Sequence, residues 1–346
     1  MAQALPTSEE FARLTGPLRG ELLAHCYRML GSVDDAEDQV QETLIRAWRA
    51  YGDFEGRASL RTWLYRIATN ACLRALENRA RRPLPSGLAG PGDDPAGTLA
   101  AHQPEVPWLQ PMPDALVGAG SSGPADPAAI VASRAGMRLA LIAALQYLPG
   151  RQRAVLILRD VLGWRAAEVA DLLGTSTGAV NSLLQRARAR LEQVAPAADE
   201  MHEPVGAGDR VLLSRYAAAF ESADIDALMG LLRDDAVLEM PPLPAWFAGR
   251  DQVGAFLRDQ VLRGRHFRLI PTAANGQPAF AGYLRDLDGV FRAHAIQVLT
   301  ISGGQVTRIV SFLDPALVTA SGLPPVRPAG GRPARPGPAA EPALRA

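Results

Sequence analysis

The chain has 346 residues, a hydrophobic fraction of 48% and 36 basic against 36 acidic residues, so its formal net charge is zero. This length suffices for two or three domains that each bury a core, and the neutral total argues against binding nucleic acid through overall charge. No run approaches the ~20 apolar residues needed to span a bilayer, and the N-terminus lacks the pattern of a secretion signal. Cys26 and Cys72 lie in helical patterns without zinc-site spacing, so we expect a reduced, cytoplasmic protein without a metal.

The neutral total hides an uneven distribution of charge. Residues 57–82 contain seven arginines and one acid, and residues 134–192 contain nine arginines and four acids. Acidic residues collect in Asp34–Glu42 and in the C-terminal half. The zero total therefore does not exclude local binding of nucleic acid.

The first predicted helices are Glu9–Leu30 and, after a Gly-Ser break, Asp34–Arg49. The second has apolar residues at three-and-four spacing, the pattern of a helix with one buried face. Its opposite face carries the carboxylates of Asp35, Asp38 and Glu42. Taken alone, such a stripe most often indicates only a solvated surface.

A third helix is predicted from Ser59 to about Arg79, with Arg66, Asn70 and Arg74 aligned on one face. Arginine binds phosphates, and an unpaired base that is read must be extruded into a pocket. Phe54, in the preceding turn, is placed to wall such a pocket with Arg66 and Asn70. The alternative is that Phe54 only packs on the core.

Two motifs here resemble those of a known family. DDAEDQVQETLIRAW (34–48) resembles the segment with which bacterial sigma factors grip RNA polymerase, and FEGRASLRTWLYRIATNACLRALENRARR (54–82) resembles their promoter-melting segment. Their order is typical of the extracytoplasmic-function (group IV) sigma-70 family, whose first domain would span 7–82. The resemblance implies that core polymerase is bound by Asp35, Asp38, Gln41 and Glu42. It implies that the minus-ten element is bound by Phe54, Arg66, Asn70 and Arg74.

Residues 83–127 are rich in proline, glycine and alanine without any period, so we expect a flexible linker between domains. The family resemblance implies that it threads the polymerase cleft. Within it, Trp108, Leu109 and Met112 form either a short docking element or part of a spacer, and the sequence favours neither.

Residues 128–195 predict four helices and contain GWRAAEVADLLGTSTGAVNSLLQRARARL. Gly174 makes the turn and Ser176 caps Thr177–Val194, as in a helix-turn-helix whose second helix reads the major groove. The residues expected to contact the minus-35 element are Ser176, Thr177, Ala179, Asn181, Ser182, Gln185, Arg186 and Arg188. Related sigma factors commonly have Lys and Arg where this chain has Asn181 and Leu183, so we expect fewer phosphate contacts.

Residues 205–318 predict a further domain. The expected helices and first strand are Arg210–Glu221, Ile225–Arg233, Asp251–Leu262 and Ala236–Met240. Later strands are joined by hairpin turns at Asp288-Gly289 and Gly303-Gly304. RYAAAFESADIDALMGLLRDDAVLEMPP (215–242) resembles the SnoaL-like, NTF2/ketosteroid-isomerase-like family, which implies an α+β cone with a central pocket. Residues 319–346 are predicted to be a disordered tail.

Catalysis in that family needs a carboxylate base on the first strand and a tyrosine on the first helix. Tyr216 matches the tyrosine, but Met240 stands at the base position, and Glu239 should point to the other face. We therefore expect no enzyme activity, with His294 a weak substitute base. The side chains expected to line a pocket for a small apolar ligand, or simply to fill it, are Tyr216, Trp246, Phe280, Tyr283 and His294.

The sequence thus predicts a multidomain protein with two all-α sigma domains and an α+β cone. Its predicted function is to bind core RNA polymerase and promoter DNA, with no cofactor, no metal and no membrane contact, under regulation by the cone. One alternative is a bifunctional protein whose cone is an enzyme or a small-molecule sensor. A free-standing helix-turn-helix regulator is a second alternative, but it leaves Asp34–Trp48 unexplained. An anti-sigma partner is left open.

Overall fold

The structure, a computed structural model, describes residues 7–54, 56, 58–77, 79–97, 99, 103, 105–118, 136–194 and 207–328. It consists of a first helical domain (7–77), a connecting segment (83–118), a second helical domain (139–194) and a C-terminal α+β domain (207–328). The predicted end of the linker (119–127), the start of the second domain (128–135) and the tail from 329 lie outside the described residues.

The first helical domain contains the helices α1 Ser8–Thr15, α2 Arg19–Leu30, α3 Val33–Arg49 and α4 Leu60–Leu76. The sequence predicted α1 and α2 as one helix, which is wrong. Gly16–Leu18 forms a 3₁₀ turn between them, because Pro17 has no amide hydrogen with which to continue the α-helix. Thr7 caps α1 by accepting from the amide of Glu10 at 3.3 Å.

Short-range caps set the ends of the next helices. Gly31 ends α2 with a φ of +71°, a left-handed conformation that glycine adopts without strain. The Ser32 hydroxyl oxygen accepts from the Asp35 amide at 3.2 Å and begins α3. Ser59 begins α4 in the same way. These are the boundaries that the sequence predicted to within three residues.

The connecting segment is packed rather than flexible where the structure describes it. Leu84, Leu109 and Met112 are buried in the same hydrophobic core as α2 and α3. Of the two interpretations of the tryptophan-containing stretch, docking is the one that this packing supports. The expectation of an unpacked linker is corrected for residues 83–97 and 105–118.

The connecting segment ends in one short helix, and the second helical domain follows. The helices are α5 Asp114–Gly118, α6 Leu139–Leu145, α7 Gly150–Leu156, α8 Ala166–Leu173 and α9 Thr177–Val194. Ile157–Val161 continues α7 as a π-helical turn. Gly174 ends α8 with a φ of +59°, and the Ser176 hydroxyl oxygen accepts from the Ala179 amide at 3.2 Å to cap α9. The predicted helix-turn-helix geometry is confirmed.

The C-terminal domain is a seven-stranded sheet with helices against it. Its helices are α10 Ala207–Glu221, α11 Ile225–Met229, α12 Arg250–Phe256 and α13 Pro315–Ala320. Its strands are β1 Leu232–Glu239, β2 Trp246–Ala248, β3 Phe267–Ala274, β4 Gln277–Arg285, β5 Phe291–Ser302, β6 Gln305–Phe312 and β7 Val326–Arg327. The order is β2-β1-β6-β5-β4-β3, with β7 on β5. The predicted helix to Arg233 is too long, since β1 already begins at Leu232.

The two faces of this sheet bury different cores. One face, with α10 and α12, encloses an aromatic interior that includes Tyr216, Phe220 and Phe280. The other face, to which Ala279 and Ala281 belong, shares one continuous core with both helical domains and the connecting segment. The C-terminal domain is therefore packed against the rest of the chain.

Residues 321–328 belong to the C-terminal domain and not to a disordered tail. β7 pairs with β5, and the Ala293 amide donates to Pro325 O at 2.8 Å. The proline-rich composition hid this short strand, because a two-residue pairing has no periodicity for a sequence to reveal.

Candidate polymerase and promoter interface

The acidic face of α3 is largely open. Asp34, Asp38 and Gln41 are exposed, and Glu42 is partly exposed and pairs with Arg46 one turn later. A row of this kind on a helix can pair with a basic surface of a partner, where opposite potentials guide docking.

Asp35 differs from the other predicted polymerase contacts. Its side chain is only 14% exposed and forms ion pairs with Arg79 and Arg82. Arg82 also donates to Trp108 O at 3.0 Å. In this arrangement Asp35 holds the end of the first domain and the connecting segment against α3.

The predicted minus-ten residues share one face of α4, and that face is turned towards the second helical domain. Asn70 and Arg74 line a cleft of ≈ 530 Å³ whose other wall includes Arg151. Nη1 of Arg66 lies 3.7 Å from Oδ2 of Asp171 in α8. The structure thus brings these three residues together beside another protein surface.

Phe54 lies against aromatic rings of the first domain. Its ring centroid is 4.8 Å from that of Trp63 and 6.0 Å from that of Tyr51. Trp63 is three residues before Arg66, so Phe54 lies beside the N-terminal half of the α4 face. This position is compatible with a base pocket and equally with simple packing.

The predicted minus-35 residues line the open side of α9. Apart from the partly buried Ala179, they are exposed: Ser176, Thr177, Asn181, Ser182, Gln185, Arg186 and Arg188. Arg188 already has a partner, since its Nε and Nη2 donate to the Asp160 carboxylate at 2.9 and 2.7 Å. The face is accessible, with one of its cations engaged within the chain.

The two helical domains touch. The rings of Tyr65 in α4 and Trp164 before α8 are 5.7 Å apart, and Arg153 donates to Gln146 Oε1 at 2.9 Å and to Met29 O. Burial of the Arg153 guanidinium lowers its pKa to about 10, so it remains charged at neutral pH.

This contact limits how far apart the predicted minus-ten and minus-35 residues can lie. Elements centred ten and 35 base pairs upstream lie about 85 Å apart on B-form DNA. Here α4 contacts α7 and α7 packs on α9, a helix that extends about 27 Å. Through these contacts, α4 and α9 lie closer together than that separation.

The residues predicted to line one pocket are not brought together. The rings of Tyr216 and Phe280 stack at 5.8 Å in the aromatic interior, and Tyr216 donates to Gln297 Oε1 at 3.2 Å. Burial raises the pKa of Tyr216, which keeps its hydroxyl protonated. The His294 ring lies 5.9 Å from Phe267 in the same interior, and burial lowers its pKa.

The other two pocket residues lie elsewhere, which corrects the prediction. Trp246 donates to Ala89 O of the connecting segment at 2.8 Å. Tyr283 donates to Pro324 O at 2.8 Å, on the opposite sheet face from Phe280. Positions 280 and 283 are three apart on one strand, so side-chain alternation sends them to opposite faces.

The first strand places its carboxylate away from the aromatic interior. Met240 is buried in that interior, whereas Glu239 accepts from Arg308 and, at 2.9 Å, from the Ser86 amide. The expected alternation of these two residues is confirmed. Glu239 joins the sheet to the connecting segment instead of facing Tyr216.

Two residues with extensive contacts between domains had no role in the sequence analysis, Gln110 and Asn275. Gln110 binds the N-terminus of α3, and Asn275 binds the first domain and the connecting segment. An Asn-Gly pair between two strands is a hairpin signal, so the turn was predictable. Its partners were not.

Two further searches cover the parts of the chain that the structure describes. They contain no group of three His, Cys, Asp or Glu side chains placed to hold a metal ion. No helix in those parts combines the length and the apolar character that crossing a membrane requires.

Three families match successive parts of the chain. Residues 16–82 match Sigma-70 region 2, residues 138–191 match Sigma-70 region 4, and residues 213–309 match the SnoaL-like domain. These ranges coincide with the first helical, second helical and C-terminal domains.

The chain is also similar over most of its length to sigma factors of Mycobacterium tuberculosis. The chain is 52% identical over 318 residues to "ECF RNA polymerase sigma factor SigG" of Mycobacterium tuberculosis, covering 91% of this chain and 84% of the relative. It is 30% identical to "ECF RNA polymerase sigma factor SigJ" of that organism, covering 88% and 92%. The crystal structure of M. tuberculosis SigJ has the same fold, with a TM-score of 0.56 at 24% identity over 92% of this chain and 100% of that one. The chain therefore belongs to the extracytoplasmic-function (ECF) RNA polymerase sigma factor family and carries a C-terminal SnoaL-like domain.

Proposed function

We propose that this sigma factor binds core RNA polymerase through the exposed face of α3 and directs initiation at promoters with a minus-ten and a minus-35 element. The observation that carries this is the pairing, in the first helical domain, of an open acidic helix with the row of Arg66, Asn70 and Arg74. It acts in the cytoplasm, where polymerase is found.

The roles divide between the helices. Asp38, Gln41 and Glu42 contact polymerase. Asp35 instead pairs with Arg79 and Arg82 for as long as the connecting segment stays packed against α3. Arg66, Asn70 and Arg74, with Phe54 beside them, hold the melted minus-ten strand by phosphate contact and base insertion. The exposed side of α9 reads the minus-35 duplex in the major groove.

The SnoaL-like domain regulates and does not catalyse. Met240 cannot accept a proton, and Glu239 is committed to Arg308 on the far face. The domain packs on both sigma domains, so it can favour one of their arrangements over another. The alternative is that the domain senses a ligand. That role needs a pocket, and neither Trp246 nor Tyr283 lies in the aromatic interior where the pocket was predicted.

Reconstituted transcription tests the proposal. Purified chain and core polymerase are combined with a library of promoters that vary at both elements, and transcripts are sequenced. We expect a defined pair of motifs among the active templates, and none with core alone. Equal transcript output with and without the chain, across the whole library, would reject the function.

A further inference from the structure

A cavity of ≈ 210 Å³ lies between the two helical domains, and four arginines line it. Arg79, Arg81 and Arg82 belong to the chain that follows α4, and Arg153 belongs to α7. Among the described residues that line this cavity, Asp35 is the one with a carboxylate. Its walls therefore carry four positive charges against one negative charge. None of these arginines belongs to the row that is proposed to hold the minus-ten strand.

Two of the four arginines share the carboxylate of Asp35. Arg79 and Arg82 both form ion pairs with it, and Arg82 also donates to Trp108 O at 3.0 Å. One carboxylate neutralises only one guanidinium, so these three side chains together keep a net positive charge. The side chain of Arg79 is 44% exposed. A ligand in solution can therefore reach the cavity on the side of Arg79.

Arg153 is the buried member of the group, since only 4% of the residue is exposed. Its guanidinium donates to Gln146 Oε1 at 2.9 Å and to the main-chain oxygens of Met29, Gln146 and Leu148, all of them uncharged acceptors. Within the part of the chain that the structure describes, its Nε is buried without a hydrogen-bond partner. A buried charge is costly unless it is paired and hydrogen-bonded, so an anion in this cavity would stabilise Arg153.

Arg81 also has uncharged partners. Its Nη2 donates to Gly87 O at 2.7 Å, and its guanidinium carbon lies 4.0 Å from the centroid of the Tyr147 ring. Apolar side chains form much of the remaining wall of the cavity, namely Leu30, Leu76, Leu148 and Pro149. Because surroundings of low polarity screen charges less than water does, they strengthen the attraction between these arginines and an anion.

The size of the cavity and its hydrogen-bond donors fit a phosphate group. Its volume of ≈ 210 Å³ corresponds to about seven water molecules at about 30 Å³ each. That is room for a small phosphate-containing anion, and it is less than the roughly 300 Å³ of the smallest pockets for drug-sized ligands. Guanidinium groups bind phosphate oxygens through pairs of parallel hydrogen bonds, a geometry that a monatomic anion cannot match.

We propose that this cavity binds a small free anion with one or two phosphate groups, held by Arg79, Arg81, Arg82 and Arg153. Oxygens of the anion accept from the guanidinium groups, and Asp35 competes with the anion for Arg79 and Arg82. The walls come from both helical domains, so the anion binds the arrangement in which these domains touch. The site is separate from the exposed faces of α3 and α9 and from the aromatic interior of the SnoaL-like domain.

Two substitutions should change the affinity for inorganic pyrophosphate in opposite directions. Arg79→Gln removes one cation at the exposed side of the cavity, and we expect about tenfold weaker binding through the loss of one hydrogen bond between charged groups. Asp35→Asn removes the competing carboxylate, and we expect about tenfold tighter binding, because Arg79 and Arg82 are then free to bind the anion. Arg258→Gln is the matched control, since Arg258 is an exposed arginine of the SnoaL-like domain, and it should leave the affinity unchanged.

Isothermal titration calorimetry of the full-length chain at constant ionic strength measures the pyrophosphate affinity, and the midpoint of thermal unfolding should rise with pyrophosphate concentration. A random-sequence DNA duplex is titrated in parallel. If wild type binds no pyrophosphate, or if all variants bind it alike, the site is rejected. If Arg79→Gln weakens binding to the duplex but not to pyrophosphate, the arginines contact DNA phosphates, and the free-anion site is rejected as well. Should Arg79→Gln fail to fold, the direction of the Asp35→Asn effect decides.

Discussion

The faces proposed to read the two promoter elements are in different states in this structure. On α9, Gln185 and Arg186 face solvent. On α4, Asn70 and Arg74 face a cleft walled by the second helical domain, and Arg66 forms an ion pair with that domain. One reading face is available to DNA, and the other is directed at protein.

The difference indicates an order of events. A duplex minus-35 element can meet α9 without any rearrangement, whereas a melted minus-ten strand can reach α4 only after the sigma domains separate. Binding to polymerase is the step that we expect to separate them, because Gln110 of the segment between the domains binds Asp34, one helical turn before the proposed polymerase contact Asp38.

The largest expected effect comes from substitutions that prevent polymerase binding. Asp38→Arg combined with Glu42→Arg should weaken binding to core at least about a hundredfold, because like charges placed together at an interface cost several kcal/mol. Minus-ten recognition should disappear with it, and binding of the isolated chain to a minus-35 duplex should not change. A pull-down with core polymerase measures the first interaction, and a gel-shift assay with the minus-35 duplex measures the second. Asp251→Arg with Asp259→Arg makes the same charge change on the SnoaL-like domain and should leave core binding intact. Retention of core by the α3 variant would contradict the assignment.

Base-contact variants test the comparison directly. Asn70→Ala should cost about 1–3 kcal/mol at one minus-ten base, the usual value of a good base contact, and only in the polymerase complex. Gln185→Ala should cost a similar amount at the minus-35 element both with and without polymerase. Binding titrations on matched promoter variants distinguish these patterns. If Asn70→Ala also weakens DNA binding by the isolated chain, α4 is not covered in solution.

Acid should destabilise the chain through a buried histidine in the domain that carries α4. His25 is buried against Thr69 of α4, and burial lowers its pKa to about 3. As pH falls below 6.5 the unfolded chain takes up this proton first, so stability is lost between pH 6.5 and 3. The loss is about 2 kcal/mol at pH 5. Residues 139–194 contain no histidine.

The midpoint of thermal unfolding, measured against pH, reports this loss. The variant His25→Gln, which does not titrate at this position, should flatten the dependence. An equal pH dependence in wild type and variant would show that other groups dominate.

The smallest expected effect concerns the exposed face of α9. Asp160→Asn releases Arg188 from its ion pair, which adds a cation for DNA phosphates. An exposed ion pair contributes only about 0–1 kcal/mol, so stability should hardly change. The slope of log affinity against log salt should steepen by about one unit, the value for one added phosphate contact. Fluorescence anisotropy at several salt concentrations measures it, and an unchanged slope would mean that Arg188 stays away from DNA.

Local signals in the sequence predicted most of the helical structure. α3, α4 and α9 follow from apolar spacing and from Ser32, Ser59 and Ser176, since a cap acts within four residues. The row of Arg66, Asn70 and Arg74 was predictable for the same reason. What these residues face was not, because it depends on how the domains pack.

Errors in the prediction arose where contacts between residues far apart in the sequence determine the local structure. The bond between Met112 and Asn275 joins residues 163 apart in the sequence, and composition alone described that segment as a linker. Tyr283 was a different error, because strand alternation already separated it from Phe280. Asp35 was assigned from the family pattern, and its arginine partners lie more than 40 residues later.

The continuous core through both sigma domains and one face of the sheet makes the chain a single cooperative unfolding unit. Calorimetry should show one main transition rather than three. A shortened chain that ends after the second helical domain would leave Met112 and Leu139 without the β3–β4 hairpin that contacts them. Apolar surface uncovered in this way promotes self-association. Deletion would therefore change solubility and folding together with activity, so substitutions that keep the chain whole are the appropriate means of separating them.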